Sequence, residues 1–161
     1  MRIREAEQSD GDQLWKVHAA AIRELCADRY SPAEIEAWAG QLGSNSYARS
    51  IEERELFVAV DSQAIVGFGQ LNASTGEIDA VYVHPSAVRR GIGSELLLTL
   101  ERTVRAGGLR EVFLDSSLNA VGFYAAVGYR SESQRVHRLR SGVDIACVRM
   151  SKHLADEGGA G

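Results

Sequence analysis

Apolar residues recur at helical spacing near the N-terminus, gather into short β-branched runs through the middle, and return to helical spacing further on. Arg2 to Ala6 reads as a first strand. Ser9-Asp10-Gly11-Asp12 is a Ser-x-x-Asp capping signal, followed by an apolar stripe at Leu14, Val17, Ala21, Ile22 and Leu25, which predicts a helix from about Asp10 to Ala27. Ser31-Pro32-Ala33-Glu34 is a second capping box with proline at the first helical position, so a helix is expected from Pro32 to Ala39, stopped by Gly40 or Gly43. Ser44 to Glu53 reads as a third short helix.

The period then changes. Glu55 to Val60, Ala64 to Leu71 and Glu77 to Val83 are rich in strand formers and are separated by the turn segments Asp61-Ser62-Gln63 and Ser74-Thr75-Gly76. Three antiparallel strands are expected. A helix from Gly91 to Ala106 follows, with Ile92, Leu96, Leu97, Leu100 and Val104 on one face and Gly107-Gly108 at its end, and then a short strand, Val112 to Leu114. Strand, helix and strand together predict a right-handed βαβ unit with two parallel strands. Asn119 to Val127 reads as a helix closed by Gly128, and strands from about Tyr129 to Leu139 and Val143 to Lys152 flank a Ser141-Gly142 turn. The expected fold is α/β: a mixed, mostly antiparallel central sheet of six or seven strands with helices on both faces, in one domain over 1–154. Residues 155–161 are expected to be a frayed tail.

Composition narrows the function classes. The chain has 161 residues, 45% hydrophobic and 25% charged, with a formal net charge of -4, which suits one globular core and gives no basic surface for nucleic acid or anionic membrane. Its start, MRIREAEQ, lacks an apolar signal region, and no apolar run approaches the roughly 20 residues that span a bilayer. A cytoplasmic protein with no membrane partner is therefore expected. Cys26 and Cys147 form no C-x-x-C pair or Cys/His cluster, so neither a disulfide framework nor a metal site is expected.

The candidate chemistry lies where the third central strand meets the Leu-rich helix, at Val83-His84-Pro85-Ser86-Ala87-Val88-Arg89-Arg90-Gly91-Ile92-Gly93-Ser94. A helix start offers free N–H groups and about half a positive charge, glycines let a phosphate oxygen come close, and Arg89 and Arg90 add cationic donors. A pyrophosphate-bearing ligand fits that chemistry, although tight packing alone also selects glycine at such turns. The Gly-Lys-Ser/Thr of a Walker loop is absent, as is the third glycine of a dinucleotide fingerprint near Leu96, so neither ATP nor NAD is favoured.

This run resembles motif A of the GNAT superfamily of acyl-CoA-dependent N-acetyltransferases, and Asn119-Ala-Val-Gly-Phe-Tyr124-Ala-Ala-Val-Gly-Tyr129 resembles its motif B. The likeness covers about Glu55 to Arg130. Val88 stands where motif A usually has Gln or Arg, and Gly122 where motif B usually has Ala. The resemblance implies acetyl-CoA as acyl donor, bound by main-chain groups from Val88 and Arg89 to Ser94, with the pantetheine arm lying along Val81, Tyr82 and Val83 between splayed parallel strands. It also implies that Asn119 and Phe123 belong to the cofactor site and that Tyr124 protonates the departing thiolate. From the residues alone, Asn119 serves equally as a helix cap and Tyr124 as a packed aromatic.

Glu77 and Asp79 are the candidate bases, expected by strand alternation to share one face with Val81 and Val83. The resemblance places an acceptor pocket among the first helices, which points to His18, Tyr30, Trp38 and Tyr47; His18 and Trp38 also read as core residues. Neither cysteine falls in a predicted site segment, so covalent transfer is not favoured. The expected acceptor is a primary amine on a small molecule or peptide. Transfer of a longer acyl group and a CoA-binding module without turnover are the alternatives. An exposed final strand leaves a homodimer open.

Overall fold

The computed structural model describes residues 1–155; the tail expected at 155–161 lies, from 156 onward, outside them. The described chain forms strands β1 (Arg2–Glu5), β2 (Glu55–Asp61), β3 (Ala64–Asn72), β4 (Glu77–Val83), β5 (Glu111–Ser117), β6 (Arg130–Arg138) and β7 (Asp144–His153). Its helices are α1 (Gly11–Leu25), α2 (Pro32–Gly40), α3 (Ala48–Glu53), α4 (Ile92–Ala106) and α5 (Val121–Ala126). No helix among the described residues is long and apolar enough to cross a membrane.

The capping box at Ser31 forms as its residues dictate: the Glu34 N–H donates to Ser31 Oγ at 3.1 Å and the Ser31 N–H to Glu34 Oε1 at 2.8 Å. The expected cap on α1 does not form. The Asp10 carboxylate instead accepts the Glu7 N–H at 2.7 Å and binds the Arg4 guanidinium at 2.9 and 3.0 Å, closing a short 3-10 turn before α1. An ion pair to β1 outcompetes the local cap because it engages both carboxylate oxygens.

All strands join one sheet, ordered β1-β2-β3-β4-β5-β7-β6, with β4 and β5 the parallel pair. Helices α1 and α2 cover one face. There Leu14 and Val17 pack on Leu56, Val58, Val60 and Phe68, and Ile22 and Ile35 lie in a cluster with Ile145. Helices α4 and α5 cover the other, where Leu97, Leu100, Val104 and Tyr124 pack with Leu71, Ile78, Val112, Leu114 and Met150. Gly67 and Gly69 of β3 face this helix layer, and an added Cβ would come within 3.2 Å of Leu96 and 3.1 Å of Leu100 respectively. Those glycines set α4 close against the sheet.

Two expectations are corrected. The last strand is not exposed: β7 inserts between β5 and β6, and β6, with every residue solvent-exposed, forms the edge. The hairpin folds back inward because β5 still needs a partner on the side away from β4. Strand β5 also runs on to Ser117, beyond the expected Leu114, since Asp115 to Ser117 pair with β7.

Candidate active site

The junction from β4 to α4 is built to expose main-chain N–H groups. After a short turn, Arg89 and Gly91 both adopt left-handed backbone conformations, at φ 65° and 78°. Alternation of this kind lines up successive N–H groups around a concavity that suits an anion. Helix α4 then starts with Gly91 at its N-cap and no side chain capping it. The Glu95 N–H is the first to find an acceptor within the helix, at Gly91 O (3.1 Å), so those of Ile92, Gly93 and Ser94 face outward unbonded by it.

A Cβ on Gly91 would meet nothing within 4 Å, whereas one on Gly93 would lie 3.3 Å from Phe123 Cζ. Phe123 thus lays its ring over the helix start and joins the two motifs in space. The Arg90 guanidinium is engaged by Asp61 at 2.6 Å and holds this loop to the β2–β3 turn, which leaves Arg89 as the exposed cation beside the N–H groups. Val88, extended and half-buried, precedes the concavity. At Gly122 an added Cβ would meet nothing, so the shorter residue there costs no packing.

Next to this loop the sheet opens. Parallel pairing covers only Glu77 with Phe113 and Ile78 with Leu114, and beyond it β4 and β5 separate. A crevice of about 40 Å³ lies in the gap, lined by Val81 and Tyr82 on one side and by Ser117, Ala120 and Tyr124 on the other. Tyr124 itself is 6% exposed. Among the described residues no fully buried side-chain oxygen or nitrogen lacks a partner, and no protein group bonds the Tyr124 hydroxyl, so that hydroxyl opens on the crevice. Burial pushes its pKa well above the usual phenol value, which keeps it protonated.

Asn119 lies exposed in the turn before α5, its side chain beside the Cys26 thiol. It does not cap the short 3-10 turn there, whose first residue is preceded by Ser117.

On the α1 and α2 face lies a cavity of about 360 Å³. Ile78, Asp79, Ala80, Tyr82, Asp115 and Ser117 line both spaces, so the crevice and the cavity adjoin. The cavity wall carries Glu77, Asp79 and Asp115 but no lysine or arginine. Two of these carboxylates are compensated from behind: Asp115 is bound by Arg149 at 2.8 and 3.2 Å, and Asp79 accepts from Gln70 at 3.1 Å and lies 3.5 Å from Arg54. Among the described residues Glu77 has one ion-pair partner, the distant Arg149, at 3.8 Å. Burial, followed by the charge of Asp79, raises the Glu77 pKa, Asp115 adds to the rise, and Arg149 and Arg135 oppose it.

The single face expected for Glu77, Asp79, Val81 and Val83 does not form. Leu71 pairs with Ile78 but Gln70 pairs with Ala80, so Asp79 is an extra residue, a β-bulge that resets the alternation. Ile78, Val81 and Val83 pack toward α4, while Glu77, Asp79, Ala80 and Tyr82 turn to the cavity. The bulge thereby separates a main-chain edge along the crevice from the carboxylates of the cavity.

His18, Tyr30 and Trp38 all reach the cavity wall, but Tyr47 does not; it bonds His18 at 2.9 Å from beneath. The Tyr30 hydroxyl is taken up by the backbone, donating to Ala146 O at 2.6 Å and accepting the Leu118 N–H at 2.9 Å, so only its ring faces the cavity, edge-on to Trp38 at 5.4 Å. Asp115, His137 and Cys147 were not anticipated. The alternation of β5 marks Asp115 only if the strand continues past Leu114, and nothing local announces His137 or Cys147. Burial raises the Cys147 thiol pKa, which keeps it a poor nucleophile despite its place on the wall.

Known proteins agree with this architecture. The model of the GNAT acetyltransferase domain family matches residues 26–154. An uncharacterised N-acetyltransferase of Escherichia coli, YafP, is 27% identical over 135 residues, 84% of this chain and 85% of that protein. A GCN5-related N-acetyltransferase from Rhodopseudomonas palustris superposes with a TM-score of 0.90 at 30% identity, covering 95% of each chain. The PaiA N-acetyltransferase of Thermoplasma acidophilum, solved in complex with coenzyme A, has the same fold, with a TM-score of 0.77 at 22% identity over 94% of this chain and 98% of that one. With both motifs joined in space and the family matched over most of its length, this chain belongs to the GNAT acetyltransferases.

Proposed function

We propose that this enzyme transfers the acetyl group of acetyl-CoA directly to a primary amine, on a small molecule or a peptide, held in the carboxylate-lined cavity. The observation that carries this reading is that an uncapped, glycine-opened helix start, packed on Phe123, lies beside a crevice onto which the unpartnered Tyr124 hydroxyl opens, and that this crevice adjoins the cavity lined by Glu77. Acetyl-CoA supplies the activated acyl group as a thioester. The N–H groups of Ile92, Gly93 and Ser94, with Arg89 nearby, suit its pyrophosphate, and the free edge of β4 along Val81 to Val83 suits the amides of its pantetheine arm. The neighbour solved with coenzyme A supports this ligand.

Glu77 takes the proton that the incoming ammonium must lose before it attacks, a task that its raised pKa favours. The second proton, lost by the same nitrogen as the adduct collapses, restores the Tyr124 phenol after it has protonated the sulfur. A main-chain N–H near Val81 holds the carbonyl oxygen as negative charge develops on it. The Tyr124 O–H gives its proton to the departing sulfur as the C–S bond breaks and the C–N bond forms. Asp79, drawn outward by Arg54 and Gln70, supports Glu77 through its charge.

The test is twofold. A thermal-shift titration with CoA is expected to raise Tm in a concentration-dependent way. An amine panel followed by thiol release from acetyl-CoA is expected to give turnover that is lost without an amine. CoA binding with no amine turned over would favour the module without catalysis, and no CoA binding would end the reading.

A further inference from the structure

One side chain on the cavity wall has no part in the proposed proton transfers. His18 comes from the middle of α1 and lies at a ring-centroid distance of 4.3 Å from Tyr82, with Phe68 edge-on at 5.4 Å. Its Nδ1 is 2.9 Å from the Tyr47 hydroxyl. Tyr47 is 4% exposed, and its hydroxyl has no other partner among the described residues. A buried O–H without an acceptor is costlier than an idle lone pair, so Tyr47 donates and Nδ1 accepts.

That bond decides what the ring offers to the cavity. With Nδ1 held as acceptor in a neutral ring, the hydrogen sits on Nε2. Burial lowers the His18 pKa from 6.5 to about 4, so the ring is neutral at physiological pH. No protein group bonds Nε2, and no fully buried side-chain nitrogen among the described residues lacks a partner, so Nε2 opens on the cavity that His18 lines. The walls are therefore chemically divided. The β4 and β5 side presents carboxylates that suit an ammonium, and the α1 side presents an N–H donor that suits an oxygen.

We propose that His18 selects the acceptor: its Nε2–H, fixed by Tyr47, hydrogen-bonds a hydroxyl or carbonyl oxygen carried close to the reacting amine. Oxygen-bearing amines are then preferred over plain alkyl or aryl amines of the same shape. This rests on the acetyl-transfer reading and adds to it the chemical class of acceptor. A site holding a donor for such an oxygen discriminates against an analogue that leaves the donor unpaired.

Two measurements test it. In ¹⁵N-histidine-labelled protein without ligand, the His18 ring, identified by its loss in His18→Leu, is expected as the Nε2–H tautomer down to about pH 5; an Nδ1–H tautomer overturns the inference. With CoA present, phenylethanolamine against phenethylamine and glucosamine against cyclohexylamine are titrated while that resonance and acetylation are followed. The oxygen-bearing member of at least one pair is expected to shift the resonance and to have kcat/KM about tenfold higher. His18→Leu is expected to erase that ratio, and His18→Gln, which keeps a donor, to restore part of it. Equal responses within both pairs, or an unchanged ratio in His18→Leu, overturn the inference. Failure of CoA to bind counts instead against the transferase reading, while the tautomer, read without ligand, still decides the state of His18.

Discussion

The helix-start side of the site runs through one continuous stretch, Val83 to Ser94, with Phe123 and Tyr124 added from a second, whereas the cavity draws on α1, α2, β4, β5, β6 and β7. In the proposed reading the first side works mainly with main-chain N–H groups and needs residues that stay out of the way. The second would work with side chains whose charge depends on neighbours far along the chain, such as Arg149 behind Asp115. Local geometry thus suits a ligand common to a whole family, and a distributed wall suits an acceptor that differs between its members. The contrast predicts that changes on the first side act on cofactor affinity in a nearly all-or-none way, while changes on the second grade the rate and its pH dependence.

The largest effect is expected from Gly93→Asp. Its Cβ would press on the Phe123 ring and its charge would face the proposed pyrophosphate, so CoA binding is expected to vanish in calorimetry while the fold, checked by circular dichroism, persists. Retained affinity would break the first half of the comparison. Next comes Tyr124→Phe, which removes a hydroxyl that no described residue hydrogen-bonds. A fall in kcat of about 100-fold is expected with CoA affinity and Tm little changed. An unchanged kcat would take the proton donor away from Tyr124.

Glu77→Gln probes the distributed wall. The base must be ionised, so the wild-type rate climbs as pH rises through the elevated Glu77 pKa, and the variant is expected to lose about 10-fold or more at neutral pH and to regain rate only at alkaline pH. The stability change has the opposite sign. A carboxyl with a raised folded-state pKa is best accommodated protonated, and its stabilising contribution is lost as pH rises through that pKa, so Glu77→Gln is expected to hold or raise Tm at pH 7. A fall in Tm would mean that Glu77 is a structural ion-pair partner of Arg149 and not a base.

Asp115→Asn is the mildest test. Its negative charge raises the Glu77 pKa, and its loss also frees Arg149 to approach Glu77. Both effects lower that pKa, so the acid limb of the kcat/KM profile is expected to move to lower pH by up to about one unit. A limb that does not move would show that the two carboxylates act independently, and the cavity would then be less distributed than its geometry suggests.

Much of this molecule was legible along the chain because the features concerned are local. The capping box at Ser31, the Leu-rich face of α4 and the glycines at positions 91 and 93 depend on neighbours within a turn or two, and they set the element order and the candidate helix start. The acceptor wall was not legible in the same way. Alternation along β4 holds only until the bulge at Asp79, which arises from register with β3 and reverses which residues share a face. Asp115 became part of the site because β7 pairs with β5 as far as Ser117, and Cys147 because that same strand inserts inside β6. The roles proposed for Tyr47 and His18 rest on a contact across 29 positions. The sequence by itself determined the helix start, the motif pair and the periodicities, whose causes lie within a few residues. Strand register, the opening of the parallel pair and the charge around Glu77 were decided by tertiary structure, because each depends on which distant segments end up side by side.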